Sequence, residues 1–139
     1  MPARIADKMR ILAGERLYLA NGPADAVAAI DLPAVHIAKR LAGKFDHIIF
    51  FTKTQRQLDA RFPRLKSYLE ANGKLWVAWP KGGRLGTDLD LKHVIRIGYN
   101  HGLVESTQLR VDDTWTALKF THPKRNKTYN NSYGKLPRS

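Results

Sequence analysis

Apolar positions along the chain change period several times, and each change marks the boundary of an element. Arg16 to Ala20 (RLYLA) alternates apolar with other residues and stops at Asn21-Gly22-Pro23, which predicts a strand ended by a turn. An Ala-rich helix is expected over Ala24 to Ile30, broken at Leu32-Pro33. Val35 to Leu41 is too short to settle its own period, and is read as a strand in preference to a helix. From Asp46 to Phe51 the residues His47, Ile48, Ile49, Phe50 and Phe51 run without a break, as in a parallel strand covered on both faces.

The next segment switches to helical spacing. Leu58, Phe62, Leu65 and Leu69 recur at intervals of four, three and four behind a capping Thr52 or Thr54, with Pro63 expected to kink the rod or to start a second helical piece. Asn72-Gly73 is expected to end this helix. Lys74 to Trp79 then reads as a buried strand, in which Trp76 and Trp79 face opposite sides, Trp76 in the core and Trp79 at the rim of any pocket. Pro80, Gly82, Gly83 and Gly86 form a loop, Asp88 or Asp90 caps a helix carrying Leu91, Val94, Ile95 and Ile97, and Gly102 stops it. Leu103 to Val111 alternates, Asp112-Asp113-Thr114 turns, and Trp115 to Phe120 closes a hairpin.

Strands alternating with helices before a final hairpin predict an α/β fold. The expected architecture is a single Rossmann-like three-layer domain over residues 1–120, with a mainly parallel sheet and an antiparallel C-terminal hairpin. In such a sheet ligands bind at the carboxyl ends of the strands. That places Asn21, Gly22, Lys53, Trp79, Lys81, Thr87, Asp88 and Asp113 together as candidate ligand-binding residues.

Charge adds a second theme. Lys and Arg number 24 against 12 Asp and Glu, a formal net charge of +12, which favours contact with nucleic acid or another polyanion. Residues 121–139 hold Lys124, Arg125, Lys127, Lys135 and Arg138 with no acid, and read as a flexible basic tail in which Tyr129 and Tyr133 are available to stack on bases. A second cluster, Lys53, Arg56, Arg61, Arg64 and Lys66 against Asp59, falls on the central helix, where a solvated face is the plainer reading. The nucleic-acid candidates are therefore Arg56, Arg64, Lys124, Arg125 and Lys127. The chain has no cysteine and no stretch of membrane-spanning length, so a cytoplasmic protein without disulfides or thiolate metal sites is expected.

The segments LWVAWPKGG, TDLDLKHVIRIGYNHGLVE and VDDTWTALKFTHPKR give the chain a resemblance to a bacterial family of small proteins of unknown function, itself similar to truncated, degenerate class I methyltransferases. The resemblance implies the fold, a pared-down Rossmann-like sheet with an antiparallel last strand, and carries no activity.

Candidate chemistry is sparse. After RLYLA the loop NGPADA has one glycine, Pro23 removes an N–H, and no Asp or Glu follows Val35 to Leu41 before Asp46, so the glycine-rich loop and ribose-binding acid of an S-adenosylmethionine site are not apparent. GGRLGTD is Gly-rich but lacks the lysine of a phosphate loop; Lys81, Arg84 and Thr87 around it suit an anion at the helix that follows, or a plain connector. The histidines, His36, His47, His93, His101 and His122, have no zinc or general-base spacing, and Asp112-Asp113 suits a tight turn better than paired acid–base chemistry. No catalytic or metal-binding residue is assigned and no cofactor is expected, S-adenosylmethionine being disfavoured. The functional expectation is a non-catalytic small-ligand or protein-interaction domain; the alternatives are a nucleic-acid-binding accessory protein using the basic tail and helix, or an S-adenosylmethionine-dependent methyltransferase.

Overall fold

The computed structural model of the chain describes residues 3–137. The elements run α1 (Ile5–Lys8), β1 (Arg16–Ala20), α2 (Ala24–Ile30), β2 (His36–Ala38), β3 (Phe45–Phe51), α3 (Gln55–Ser67), β4 (Leu69–Pro80), α4 (Leu91–Asn100), β5 (Val104–Arg110) and β6 (Trp115–Thr121), with a tight turn over Lys81–Gly86. One six-stranded sheet has the order β2-β1-β3-β4-β6-β5. Its first four strands are parallel, and β6 pairs antiparallel with both β4 and β5. The mainly parallel α/β sheet with an antiparallel hairpin is therefore the architecture of this protein.

Residue alternation on the strands builds two cores. On one face Phe45, Ile48 and Phe50 of β3 meet Leu75, Val77 and Trp79 of β4 under Leu58, Phe62 and Leu65 of α3 and Val94, Ile95 and Ile97 of α4. On the other, Leu17, Ile49, Phe51, Trp76 and Ala117 lie under Ala6 of α1 and Ala26 and Ile30 of α2. Trp76 and Trp79 do point to opposite faces, but both are buried, Trp79 at 2% exposure. Trp79 is thus a core residue beneath α3 and α4, not a rim residue. Its large apolar surface gains more from that contact than from a solvent edge.

Two features of α3 differ from the sequence expectation, and one open choice of cap is settled. Pro63 lies within an unbroken α3, which Thr54 caps by accepting the Gln57 N–H at 3.1 Å. The helix stops at Ser67, and Asn72-Gly73 sits inside β4, close to a register shift against β3 between Phe45 and His47. Gly73 is needed there for close approach, since a Cβ would come within 2.9 Å of the Phe45 carbonyl oxygen. Asp90 caps α4 by accepting the His93 N–H at 2.9 Å, whereas Asp88 accepts the Gln55 N–H and ties the approach to α4 onto the start of α3.

Residues 122–137, expected as a flexible extension, have specific partners. Tyr129 and Leu136 pack, partly buried, against the core cluster that includes Val94, Ile95 and Tyr99 of α4, and the Asn131 amide donates to Glu105 at 2.9 Å. The Tyr99 hydroxyl donates to the same carboxylate, and burial pushes its pKa up to about 12. The Tyr129 hydroxyl accepts the Lys124 N–H, so this ring is a packing group. Arg138 lies outside the described residues. Among those described, no helix is long and apolar enough to cross a membrane.

Two predictions follow from this packing. An added Cβ at Gly98 would sit 2.1 Å from the Phe120 ring, so Gly98→Ala is expected to destabilise the fold by about 3 kcal/mol in chemical denaturation, as overpacking of a filled core does. His47 is fully buried, and desolvation lowers its pKa more than nearby Glu15 raises it. The unfolded chain then takes up the proton first, so stability is retained above the ordinary histidine pKa and lost as pH falls below it. The denaturation midpoint is expected to drop between about pH 8 and about pH 5, less steeply in His47→Gln; equal slopes would exclude this role.

Candidate functional site

The sheet order forces a gap at one place. From β1 the chain leaves for the face covered by α2 and returns at β2 on one side; from β3 it leaves for the opposite face through α3 and returns at β4 on the other. Between the carboxyl ends of β1 and β3 the two connections diverge, and ligands of doubly wound sheets bind in the crevice so formed. A cavity of about 400 Å³ opens there, lined by Asn21, Pro23, Phe51, Thr52, Lys53, Gln57, Leu85 and Trp115. This size lies within the range of ordinary small-molecule sites.

The turn after β1 does with one glycine what several were expected to do. Asn21 takes the left-handed conformation, φ 61°, which asparagine tolerates better than most side chains. Gly22 follows with no room for a side chain, because a Cβ would lie 2.7 Å from Val27 Cγ2 of α2. Reversal of the chain and close packing of turn on helix are both satisfied, and these are two of the purposes of a glycine fingerprint. The residues after β2, Lys39 and Arg40, are exposed and basic, so the chain leaving that strand supplies no carboxylate there.

Polar and apolar groups divide the cavity wall. Phe51 and Trp115 meet edge to face with ring centroids 5.2 Å apart. Thr52 is buried at 2% exposure, and its hydroxyl donates to Gln57 Oε1 at 2.5 Å, which orients the Gln57 amide and leaves its NH2 group to other partners. Lys53 is exposed and, among the described residues, makes no ion pair. Its carbonyl is occupied, accepting the Thr87 hydroxyl at 2.6 Å and the Asp88 N–H at 3.3 Å.

The turn Lys81–Gly86 crosses above with Leu85 at its tip, 60% exposed and at φ 54°. An apolar side chain held in a left-handed conformation costs roughly 1–2 kcal/mol, and such strain concentrates at functional sites. Gly82, Gly83 and Gly86 flank it at positive φ in open space. The turn is fixed at both ends: the Lys81 N–H donates to the Thr114 carbonyl at 2.9 Å, Lys81 Nζ to that of Asp112 at 3.3 Å, and Arg84 to that of Asp113.

Of the eight ligand-binding candidates, Asn21 and Lys53 stand in the cavity wall and Gly22 packs immediately behind it. Lys81, Thr87 and Asp88 hold the overlying turn and its junction with α3, and Asp113 pairs with Arg110. Trp79 lies in the core of the other face. Sequence reasoning passed over Thr52, Gln57, Leu85 and Trp115 as ligand contacts. Thr52 was legible as the residue leaving a strand; Trp115 enters the site because the start of an antiparallel strand shares an edge with the ends of its parallel neighbours. Of the nucleic-acid candidates, Arg56 lies in a groove between α3 and α4, Arg64 lies over the Tyr68 ring at 5.7 Å and Lys127 over Tyr129 at 5.3 Å, while Lys124 and Arg125 are exposed. Among the described residues no cluster of His, Asp and Glu could hold a metal.

No protein-family model matches the chain, and no curated protein does. Solved structures do match. Magnesium protoporphyrin IX methyltransferase from Synechocystis, with bound S-adenosylmethionine, is 10% identical, with a TM-score of 0.58 over 86% of this chain and 74% of that one. A TehB-like S-adenosylmethionine-dependent methyltransferase from Corynebacterium glutamicum is 12% identical, with a TM-score of 0.55 over 86% of each chain. A type 11 methyltransferase described from Sulfolobus solfataricus is 9% identical, with a TM-score of 0.55 over 89% of this chain and 92% of that one.

Two expectations are corrected by these neighbours. The non-catalytic reading and the disfavoured cofactor both rested on the missing glycine fingerprint and acid. Yet the solved structures that share this fold include several methyltransferases, and the Synechocystis enzyme holds S-adenosylmethionine in one structure and S-adenosylhomocysteine in another. Asn21 takes a left-handed backbone conformation of the kind glycines usually supply, so a count of glycines is not by itself an argument against such a site. At these identities the likeness is one of architecture, and the chain has a methyltransferase-like Rossmann fold.

Proposed function

We propose that the chain binds S-adenosylmethionine in the cavity between β1 and β3 and transfers its methyl group. The observation that carries this reading is the position of the cavity at the divergence of the two crossovers, behind the Asn21-Gly22 turn.

The residues present fit such a ligand in extent and in chemistry. A volume of about 400 Å³, an aromatic wall of Phe51 and Trp115, and the amides of Asn21 and Gln57 suit a nucleoside joined to an amino acid. Lys53 supplies a cation for the carboxylate of the amino-acid portion, and the aromatic faces favour a sulfonium by cation–π attraction. The ribose hydroxyls are left to amide groups, because Lys39 and Arg40 stand where an acid commonly does.

When bound, the cofactor supplies an electrophilic methyl: the acceptor's lone pair bonds to the methyl carbon, the C–S pair stays on sulfur as S-adenosylhomocysteine leaves, and the positive charge passes to the acceptor. The chain's own contribution is to position and to exclude water. Among the described residues, neither a carboxylate nor an imidazole lines the cavity. The acceptor must therefore attack with a lone pair it already has, as a ring nitrogen or a neutral amine does, without prior removal of a proton.

Calorimetric titration checks the reading. S-adenosylmethionine is expected to bind with a Kd below about 100 μM, and Trp115→Ala to weaken it by roughly tenfold or more, about 1.4 kcal/mol. Lys53→Ala, on an exposed side chain, should weaken it without altering the fold by circular dichroism. Absence of heat and of thermal stabilisation in wild type at millimolar ligand would refute the proposal.

A further inference from the structure

We infer that the methyl acceptor is a single-stranded nucleic acid, whose phosphodiester backbone lies in the groove between α3 and α4 and whose target base is presented at the mouth of the β1/β3 cavity. This rests on the methyltransferase reading and names its substrate class.

The first support is how the structure disposes of its charges. Carboxylates are consumed internally: Asp46 accepts the Arg16 N–H, Asp88 that of Gln55, Asp90 that of His93, Asp112 those of Thr114 and Trp115, and Glu105 takes Tyr99 and Asn131. Glu15, Asp59 and Asp90 also face histidines. Among the described residues, the pairs between a carboxylate and Lys or Arg are Arg4–Asp7 and Arg110–Asp113. Most of the 24 cationic side chains therefore keep their charge turned outward, and unneutralised cations bind phosphates with release of counterions.

The second support is where those cations meet a concave surface. A groove of about 280 Å³ between α3 and α4 is lined by Gln55, Arg56, Asp59, Arg96, Ile97 and Asn100. The Arg96 guanidinium is braced by donating to Gln55 Oε1 at 2.9 Å, which fixes its orientation. Asp59, the acid of the groove, accepts from His101 Nε2 at 2.7 Å. Arg61 and Arg64 of α3 turn elsewhere, over the Phe50 and Tyr68 rings, so the cations of the groove are Arg56 and Arg96.

Continuity with the cavity is the third. The first turn of α3 separates the two depressions: Gln55 and Arg56 stand in the groove, while Gln57 and the preceding Lys53 stand in the cavity. A strand held by phosphates along α3 thus brings a base to the methyl-donor site. The cavity is recessed at a sheet edge, which a base stacked within a duplex cannot reach, so the acceptor is unpaired or extruded. A nucleobase ring nitrogen also meets the requirement set by a cavity without a general base.

Fluorescence anisotropy of labelled single-stranded RNA and DNA oligonucleotides, with a duplex of the same sequence, tests the inference on the full chain. Wild type should bind the strands more tightly than the duplex, and the Arg56→Glu/Arg96→Glu variant should lose at least about tenfold in affinity, with the salt slope reduced by roughly 1.4 for two lost phosphate contacts. S-adenosylmethionine binding by that variant should be unchanged, and Trp115→Ala should show the reverse, strand binding without cofactor binding. Equal strand affinity in wild type and the charge-reversed variant, or preference for the duplex, overturns the inference while leaving the cofactor site standing. Wild type that binds strands but not S-adenosylmethionine overturns the acceptor assignment through the reading on which it rests.

Discussion

The parallel pairing of β1 with β3 is the constraint on which the remainder of this protein depends. Leu17 through Ala20 sit beside His47 through Phe50, yet the two strands hand the chain to opposite faces of the sheet. Two right-handed crossovers diverging from adjacent parallel strands cannot both cover the space between them. The crevice is therefore a consequence of strand order, and side chains decide only what it holds. Here it is walled by rings from β3 and β6 and closed above by a turn with a strained leucine. The Trp115 wall and the anchors of the turn come from the antiparallel hairpin, which places the start of β6 at the same edge as the ends of β3 and β4.

Burial of β3 and β4 secures that arrangement. Their central residues are almost wholly removed from solvent, so apolar area rather than hydrogen bonding fixes the register around the site. The polar contacts have a different task. Thr52 directs Gln57, Thr87 and Asp88 clamp the overlying turn to Lys53 and Gln55, and Asp112 shapes the turn that delivers Trp115. Carboxylates serve as internal clamps across the molecule, which is why a chain with so few acids presents an outer surface so rich in cations.

What could be read from the sequence follows the physical range of each signal. The buried runs at His47–Phe51 and Lys74–Trp79, the α3 stripe and the hairpin were legible because period and burial are local properties of the chain. The end of α3 was not: Asn72-Gly73 has the composition of a helix stop, but β3 draws these residues into β4, where the glycine lets the backbones approach. Trp79 at a rim was a reasonable reading of a strand end that the helices above it reversed. At the site, Asn21, Gly22 and Lys53 followed from strand-end logic, whereas Leu85 and Trp115 came from elements that only the folded topology brings to that edge. The sequence argument against the cofactor was weak because a fingerprint expressed as glycines is a proxy for backbone conformation, and Asn21 takes a left-handed conformation without being glycine.

The central claim is that the crevice between β1 and β3 is the cofactor site. Backbone amide resonances of the isotopically labelled chain, followed by NMR during titration with S-adenosylhomocysteine, test it most directly. The account predicts shifts concentrated at Asn21, Gly22, Thr52, Lys53, Leu85 and Trp115, with α4 and the β5 edge unaffected. Saturable shifts centred elsewhere, or none at millimolar ligand, would contradict it.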